Sequence, residues 1–319
     1  MNRLIRVLPL ALALPVWGFD LVGTGGFEYK SAQTGRYTPV VSVLEHNRLD
    51  NVNAVSLWIT RQWESSWYPS AEVNKRIVDK GYTPIFILYW FADDISVGYI
   101  REHEEEYYAY LKRFRSYLDE IEGEKIVVLN PEYNQFGVEG WSGYNHLLLK
   151  SAAILDEGDV IMGPCVGDFG NYDAAQDPRN WKRFDASLRD AMHVFDFIAF
   201  QEMRSLTRNT PAQIQQTARR IESFSAYLHT TYRKPVFLAY LALSTWGEKG
   251  EYLQEGVMRE LARRQPVLEK NGLMGINLFH LADVPGHVGY FGPGEEHFGI
   301  LRSDGSAKPS AAVFKLIRS

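Results

Sequence analysis

Cysteine is almost missing from this chain: Cys165 is the only one in 319 residues. No intramolecular disulfide can form, so the fold has to rest on its core, and a lone cysteine is most simply a small buried apolar residue. An excess of positive charge is missing as well. Lys and Arg number 34 against 39 Asp and Glu, a formal net charge of -5, which gives a polyanion no footprint and argues against nucleic acid as a partner. Four motifs are absent: a Gly-x-Gly-x-x-Gly turn after the first strand pattern, a Gly-x-x-x-x-Gly-Lys phosphate loop, a His-Glu-x-x-His metal pair and a Gly-x-Ser-x-Gly elbow. Their absence removes the usual signatures of dinucleotide enzymes, nucleoside triphosphatases, zinc peptidases and serine hydrolases. Gly23-Thr24-Gly25-Gly26 has glycines without the spacing, and Trp141-Ser142-Gly143 is no elbow. Low-complexity stretches and linkers are missing too, so one domain is the simplest reading.

What is present is a globular composition, 45% hydrophobic and 23% charged, with 13% aromatic residues. At the N-terminus, Arg3 and Arg6 precede an apolar run from Val7 to Trp17. That run is shorter than the ~20 residues a bilayer-crossing helix needs, as in an export signal. A signal peptide over residues 1–18 is expected, cut after Ala13 or Gly18. The mature protein would then be secreted or periplasmic, with no stable membrane insertion. An uncleaved anchor is the alternative.

Eight apolar, β-branched or aromatic runs follow: Phe19–Val22, Ala54–Thr60, Thr83–Phe91, Lys125–Leu129, Val160–Cys165, Phe195–Gln201, Pro235–Leu243 and Met274–Leu281. Between them the period becomes helical. Ser70 to Gly81 ends on glycine, Thr210-Pro211 pairs an N-cap with Pro at the first helical position, and Ile100–Ile121 and Glu255–Lys270 are long amphipathic patterns. Eight buried strands alternating with helices predict an α/β fold, a single (β/α)8 TIM barrel over residues 19–319. A doubly wound open sheet is the runner-up.

In such a barrel the site is built at the C-terminal ends of the strands. Those positions are acidic and aromatic: Trp63, Glu64 and Trp67, then Trp90 with Asp93 and Asp94, then Glu132 and Asn134. Further along come Asp168, Glu202, Tyr240, Trp246, His280 and Asp283. Indole faces suit the C–H faces of sugars, while acids and amides suit their hydroxyls. Glu132 ends a buried strand directly, in Asn130-Pro131-Glu132-Tyr133-Asn134, with Tyr133, Phe136 and Trp141 at hand to make an apolar surround. A carboxylic acid there would have its pKa raised, which suits acid/base work near neutral pH; a capping or ion-paired Glu is the structural reading. Glu202 also closes an apolar strand. It is expected as the second carboxylate, either base or nucleophile, with an ion pair to Arg204 as the structural alternative and Asp168 and Asp283 in reserve.

The segment Asn130–Asn134 resembles the fourth strand end of the clan A glycoside hydrolases, family 26 in particular, where a Glu-x-Asn context holds the acid/base. Trp63-Glu64 with Thr83-Pro84, and the closing Phe298-Gly-Ile-Leu-Arg-Ser-Asp304-Gly305-Ser-Ala-Lys308-Pro309, are similar to segments of the same enzymes. The resemblance implies a TIM barrel, a carbohydrate substrate, no cofactor and Glu132 as proton donor. It also implies a nucleophilic Glu at the end of the seventh strand. Here Leu243-Ser244-Thr245-Trp246-Gly247 puts Thr245 in that place, and a threonine hydroxyl without an adjacent base is a poor substitute. Glu248 is better read as the start of a helix. Two functions follow as expectations: a secreted glycoside hydrolase, or a catalytically silent carbohydrate-binding barrel. A metal-dependent deacetylase or lyase would need His280 and Asp283 to converge with a further ligand such as His287 or His297. Without a ligand-spaced pair, no metal is expected.

Overall fold

The structure is a computed structural model that describes residues 19–156, 158–168 and 181–318. The expected signal segment lies outside the described residues. Eight parallel strands close into a barrel: β1 (Leu21–Gly25), β4 (Ala54–Thr60), β5 (Thr83–Tyr89), β6 (Lys125–Leu129), β7 (Val160–Gly167), β8 (Ile198–Arg204), β9 (Val236–Leu243) and β10 (Leu273–Leu278). Each pairs with its neighbour, and β1 pairs with both β4 and β10 to complete the ring. The fold is therefore the single (β/α)8 barrel that the alternation predicts. A short antiparallel hairpin, β2 (Glu28–Lys30) with β3 (Tyr37–Pro39), inserts after the first barrel strand.

The strands read as continuous apolar runs because both faces are covered. One core fills the barrel with Ile85, Ile87, Ile126, Val128, Cys165, Ala199 and Phe237. The other lies between barrel and helices and holds Phe86, Leu88, Val127, Leu129, Ile198 and Phe200. The alternation of these sets along each strand is the period-2 pleat. Cys165 is buried and free. Of the helices, Val97–Leu118 is capped by Ser96, whose hydroxyl accepts from the Tyr99 N–H. Pro211–Gln215 opens with a full capping box between Thr210 and Gln213. Gly250–Lys270 packs on the C-terminal helix Pro309–Phe314. No helix among the described residues is long and apolar enough to cross a membrane.

Two irregularities aim side chains at the barrel mouth. The pairing of β8 with β9 slips by one residue between Phe200–Leu238 and Gln201–Tyr240, leaving Ala239 as an extra residue in β9. Ala239 and Tyr240 consequently both face the barrel interior, the re-aiming that a β-bulge produces. After β6 the backbone enters the left-handed region at Asn130 (φ 46°) and again at Glu132 (φ 63°). Strain of this kind is held only where the surroundings over-determine it.

Candidate active site

Three cavities adjoin at the C-terminal ends of the strands. A polar lobe of about 490 Å3 is lined by Glu132, Asp93, Gln201, Arg204, Arg208 and Tyr290, among others. A central aromatic lobe of about 510 Å3 is lined by Trp58, Tyr89, Tyr240, Phe279, His280 and Glu295, together with Glu132 and Asp93. A third lobe of about 440 Å3 lies between the β2–β3 hairpin and Ala282–Pro285.

Glu132 lies where the first two lobes meet. Its Oε1 accepts a hydrogen bond of 2.6 Å from Tyr240 Oη. Burial pushes its carboxyl up to about 6, against the opposing pull of the Tyr240 hydroxyl, and the charges of Asp93 and Glu295 push the same way as burial. A carboxylic acid with this balance keeps its proton into mildly acidic solution and gives it up above. Its floor is aromatic: Trp58 makes edge contacts with Tyr89, Tyr240 and Phe279, with centroids 5.6, 5.2 and 5.2 Å apart. The Tyr89 hydroxyl donates to Asp93 Oδ1 at 2.9 Å. Glu295 is 5% exposed. Its Oε1 accepts from the Phe291 N–H at 2.9 Å, and its Oε2 lies 3.3 Å from His287 Nε2.

Of the residues singled out in the sequence, Glu132, Asp93, Tyr240 and His280 come together in this cleft, and Asp168 reaches the edge of the polar lobe. Glu202 does not face Glu132 across it. Glu202 follows Ile198 and Phe200 on the outer face of β8, is fully buried, and pairs with Arg204 and with Arg220 Nε at 3.2 Å. Arg220 also grips Asp168 through two nitrogens. Burial pushes Glu202 well above the usual carboxylate range and lowers Arg204 to about 9. This is a cluster of two acids and two guanidiniums between sheet and helix, and it matches the ion-pair alternative for Glu202.

Other candidates are held elsewhere. Trp63 packs on Tyr110, Phe114 and Tyr117, and Trp90 on Phe91 and Tyr107, both in the layer under the helices. Glu64 is exposed beside the short turn Ser65–Trp67. Trp246 is 38% exposed, and its backbone N–H donates to Ser244 Oγ. Asn134 ties strand ends together, donating to the Gly167 carbonyl at 2.8 Å and accepting from its N–H at 2.6 Å. Asp283 borders the hairpin lobe and accepts from Lys308 Nζ at 2.6 Å. Lys308 also donates to Thr245 Oγ1 at 2.7 Å. Asp283 and His280 do not converge on a metal position, and no cluster of three His, Cys, Asp or Glu able to hold a metal occurs among the described residues.

Sequence reasoning missed Trp58, Tyr89 and Glu295. Trp58 was legible, because it shares the inward phase of β4 with Ala54 and Ser56. Glu295 had no pattern to announce it, since it comes from the long connection after β10.

No family model and no curated protein matches the chain. Solved structures do. They include a β-glucuronidase from an uncultured Clostridium sp., with TM-score 0.63 and 13% identity over 94% of this chain and 50% of that one. GH5_18 from Bifidobacterium longum subsp. longum gives 0.62 and 12%, over 92% and 78%. A fungal β-1,4-galactanase gives 0.60 and 13%, over 92% and 99%. These neighbours are glycoside hydrolases built on the same barrel. The chain spans about half the length of the glucuronidase, and at such identities the likeness is one of fold.

Proposed function

We propose that the protein is a glycoside hydrolase in which Glu132 is the general acid and Glu295 the second carboxylate. The observation that carries the reading is the state of Glu132: recessed at the end of the fourth barrel strand, with its carboxyl raised to about 6 and Glu295 and Asp93 close enough to add to that rise. A group poised there can protonate a glycosidic oxygen as the bond breaks. Glu295 suits the partner role because an N–H and an imidazole fix its two oxygens inside the cleft. Asp93 is exposed at the rim. Glu202, Asp168 and Asp283 are each committed to a buried cation. The family 26-like context of Glu132 and the glycosidase neighbours favour the same chemistry. Export directed by residues 1–18 would place the substrate outside the cytoplasm.

The second reading is a barrel that binds sugar without cleaving it. It is favoured by the end of β9, where Thr245 is bonded to Lys308 and no carboxylate stands in the place the resemblance implies.

One experiment separates them. Purified protein and its Glu132→Gln and Glu295→Gln variants are incubated with a panel of bacterial and plant polysaccharides, and reducing ends are counted. Release abolished by both substitutions supports the hydrolase, and the anomer first formed reports retention or inversion. Binding without release by the unaltered protein supports the silent barrel. Release that survives Glu132→Gln removes the central assignment.

A further inference from the structure

The three lobes adjoin. The polar and central lobes share Glu132, Asp93, Met203 and Tyr290, and the central and hairpin lobes share Gly26 and His280. Glu132 thus has a cavity on each side of it, and beyond the central one lies another. A site for the end of a sugar chain would close on one side of the acid; this one does not.

The junction between the central and hairpin lobes is built from unusual parts. A Cβ at Gly25 would fall 1.9 Å from the Phe279 carbonyl oxygen, so only glycine lets β1 lie this close to the end of β10. His280 stands at the same junction, its ring 4.1 Å from that of Phe279 and edge-on to His287 at 5.4 Å. Its Nε2 is buried and has no hydrogen-bond partner among the described residues. A neutral imidazole offers one donor and one acceptor, and a buried ring nitrogen left without a partner is costly. Burial, with His287 nearby, holds this imidazole down at about 3, so it is neutral across the physiological range. His280 lines both lobes, and a sugar hydroxyl lying there can give or take a hydrogen bond at the imidazole.

We propose that the three lobes form one groove that holds an internal stretch of a polysaccharide, with scission beside Glu132 and His280 binding a hydroxyl where the chain passes from the central lobe into the hairpin lobe. The point of scission rests on the hydrolase reading; the groove and the role of His280 do not. The action is endo, and the β2–β3 hairpin forms the wall of an outer subsite.

The test uses the full chain carrying Glu132→Gln, so that ligands survive. Affinity is measured by calorimetry for oligosaccharides of roughly two to eight sugars from β-1,4-galactan, β-mannan, cellulose and polygalacturonate. A groove predicts that Kd tightens with length until the outer lobe is filled. Adding His280→Ala, or Ala32→Trp to fill the hairpin lobe from an exposed loop position, should weaken the longer ligands about tenfold or more and leave the shortest unchanged. Affinity that levels off at one or two sugars overturns the proposal. Long ligands that bind both variants as well as the parent overturn it too, as does binding of none of the series, while release of reducing ends by the unaltered protein judges the hydrolase reading separately. With the unaltered protein, a polymer that shortens before small sugars appear supports endo action. Monosaccharide release with polymer length unchanged sinks the groove and leaves the hydrolase standing. Length-dependent binding without any release does the reverse.

Discussion

Tyr240 Oη on the seventh barrel strand donates a 2.6 Å hydrogen bond to Glu132 Oε1 at the end of the fourth. The bond spans the mouth of the barrel, and it exists because the extra residue in β9 turns Tyr240 inward. It also sets the acid. A hydroxyl donating to a carboxylate favours the charged form, so Tyr240 restrains the rise that burial imposes on Glu132. The Tyr240 hydroxyl is itself pushed well above its ordinary range by burial and by the Glu132 charge, which keeps it a donor at any working pH.

A pH profile follows, with a definite sign. On the proposed hydrolase reading the protonated form of Glu132 does the work, so kcat/KM should fall as pH rises through about 6, tenfold per unit on the basic limb. Tyr240→Phe removes the interaction that lowers the pKa, so the limb should move to higher pH. A limb that stayed in place, or moved down, would show that Tyr240 does not tune Glu132.

The two carboxylates should differ from every other acid in the molecule. Glu132→Gln keeps the size and shape of the side chain at φ 63°, so the fold should persist while kcat drops by about 10²–10⁴. Glu295→Gln should cause a loss of the same order. Asp93→Asn, at an exposed position, should cost less than about tenfold. Circular dichroism with steady-state rates on one preparation checks all three.

The barrel was legible because its evidence is repeated: eight apolar runs, each followed by a helical period, and several boundaries agree to the residue, as at Lys125–Leu129 and Ala54–Thr60. The site was only half legible. Position at a strand exit picked out Glu132, but exit position says nothing of face. The alternation could have supplied that: Ile198, Phe200 and Glu202 share one phase of β8, and Phe86, Leu88 and Trp90 share one phase from β5, both turned toward the helices. Tyr240 is the opposite case. Strict alternation from Phe237 would place Ala239 and Leu241 inward and Tyr240 outward; the bulge reverses this, and nothing in the local sequence marks it. Of the two cations paired with Glu202, Arg204 is two residues along the same strand, but Arg220 sits on the helix Thr217–Tyr232, a tertiary contact that no spacing announces.

The buried cluster beside the polar lobe should govern stability rather than chemistry. Arg220→Met leaves Glu202 and Asp168 buried with Arg204 as the remaining cation of the four, and removing one partner of a buried pair costs about 3–5 kcal/mol. Urea unfolding should show a loss of that size. Glu202→Gln should also lower the midpoint, while the folded fraction keeps its reducing-end release to within severalfold. A Glu202→Gln protein of unchanged stability and a rate down about 10²-fold would return Glu202 to the catalytic pair.

Lys308 makes a similar claim at the end of β9, and here the pH dependence tests it. Its ammonium, 1% exposed, donates to Asp283, Thr245 and the Gly299 carbonyl at 2.6, 2.7 and 2.8 Å. Burial raises Asp283 above the ordinary carboxylate range even with Lys308 opposing the shift. In Lys308→Met that opposition is gone, so the folded-state pKa of Asp283 must rise further above its unfolded value. A group shifted in this direction binds its proton more tightly when folded, so the variant loses stability as pH climbs from the unfolded value, about 4, through the folded one. The deficit against the unaltered protein should therefore be small near pH 4 and reach about 3–5 kcal/mol at pH 7. Adding Asp283→Asn to Lys308→Met removes the stranded charge and should recover most of that loss at pH 7. Chemical unfolding of the three proteins at both pH values decides the matter, and a deficit independent of pH would mean that Lys308 contributes packing, not charge.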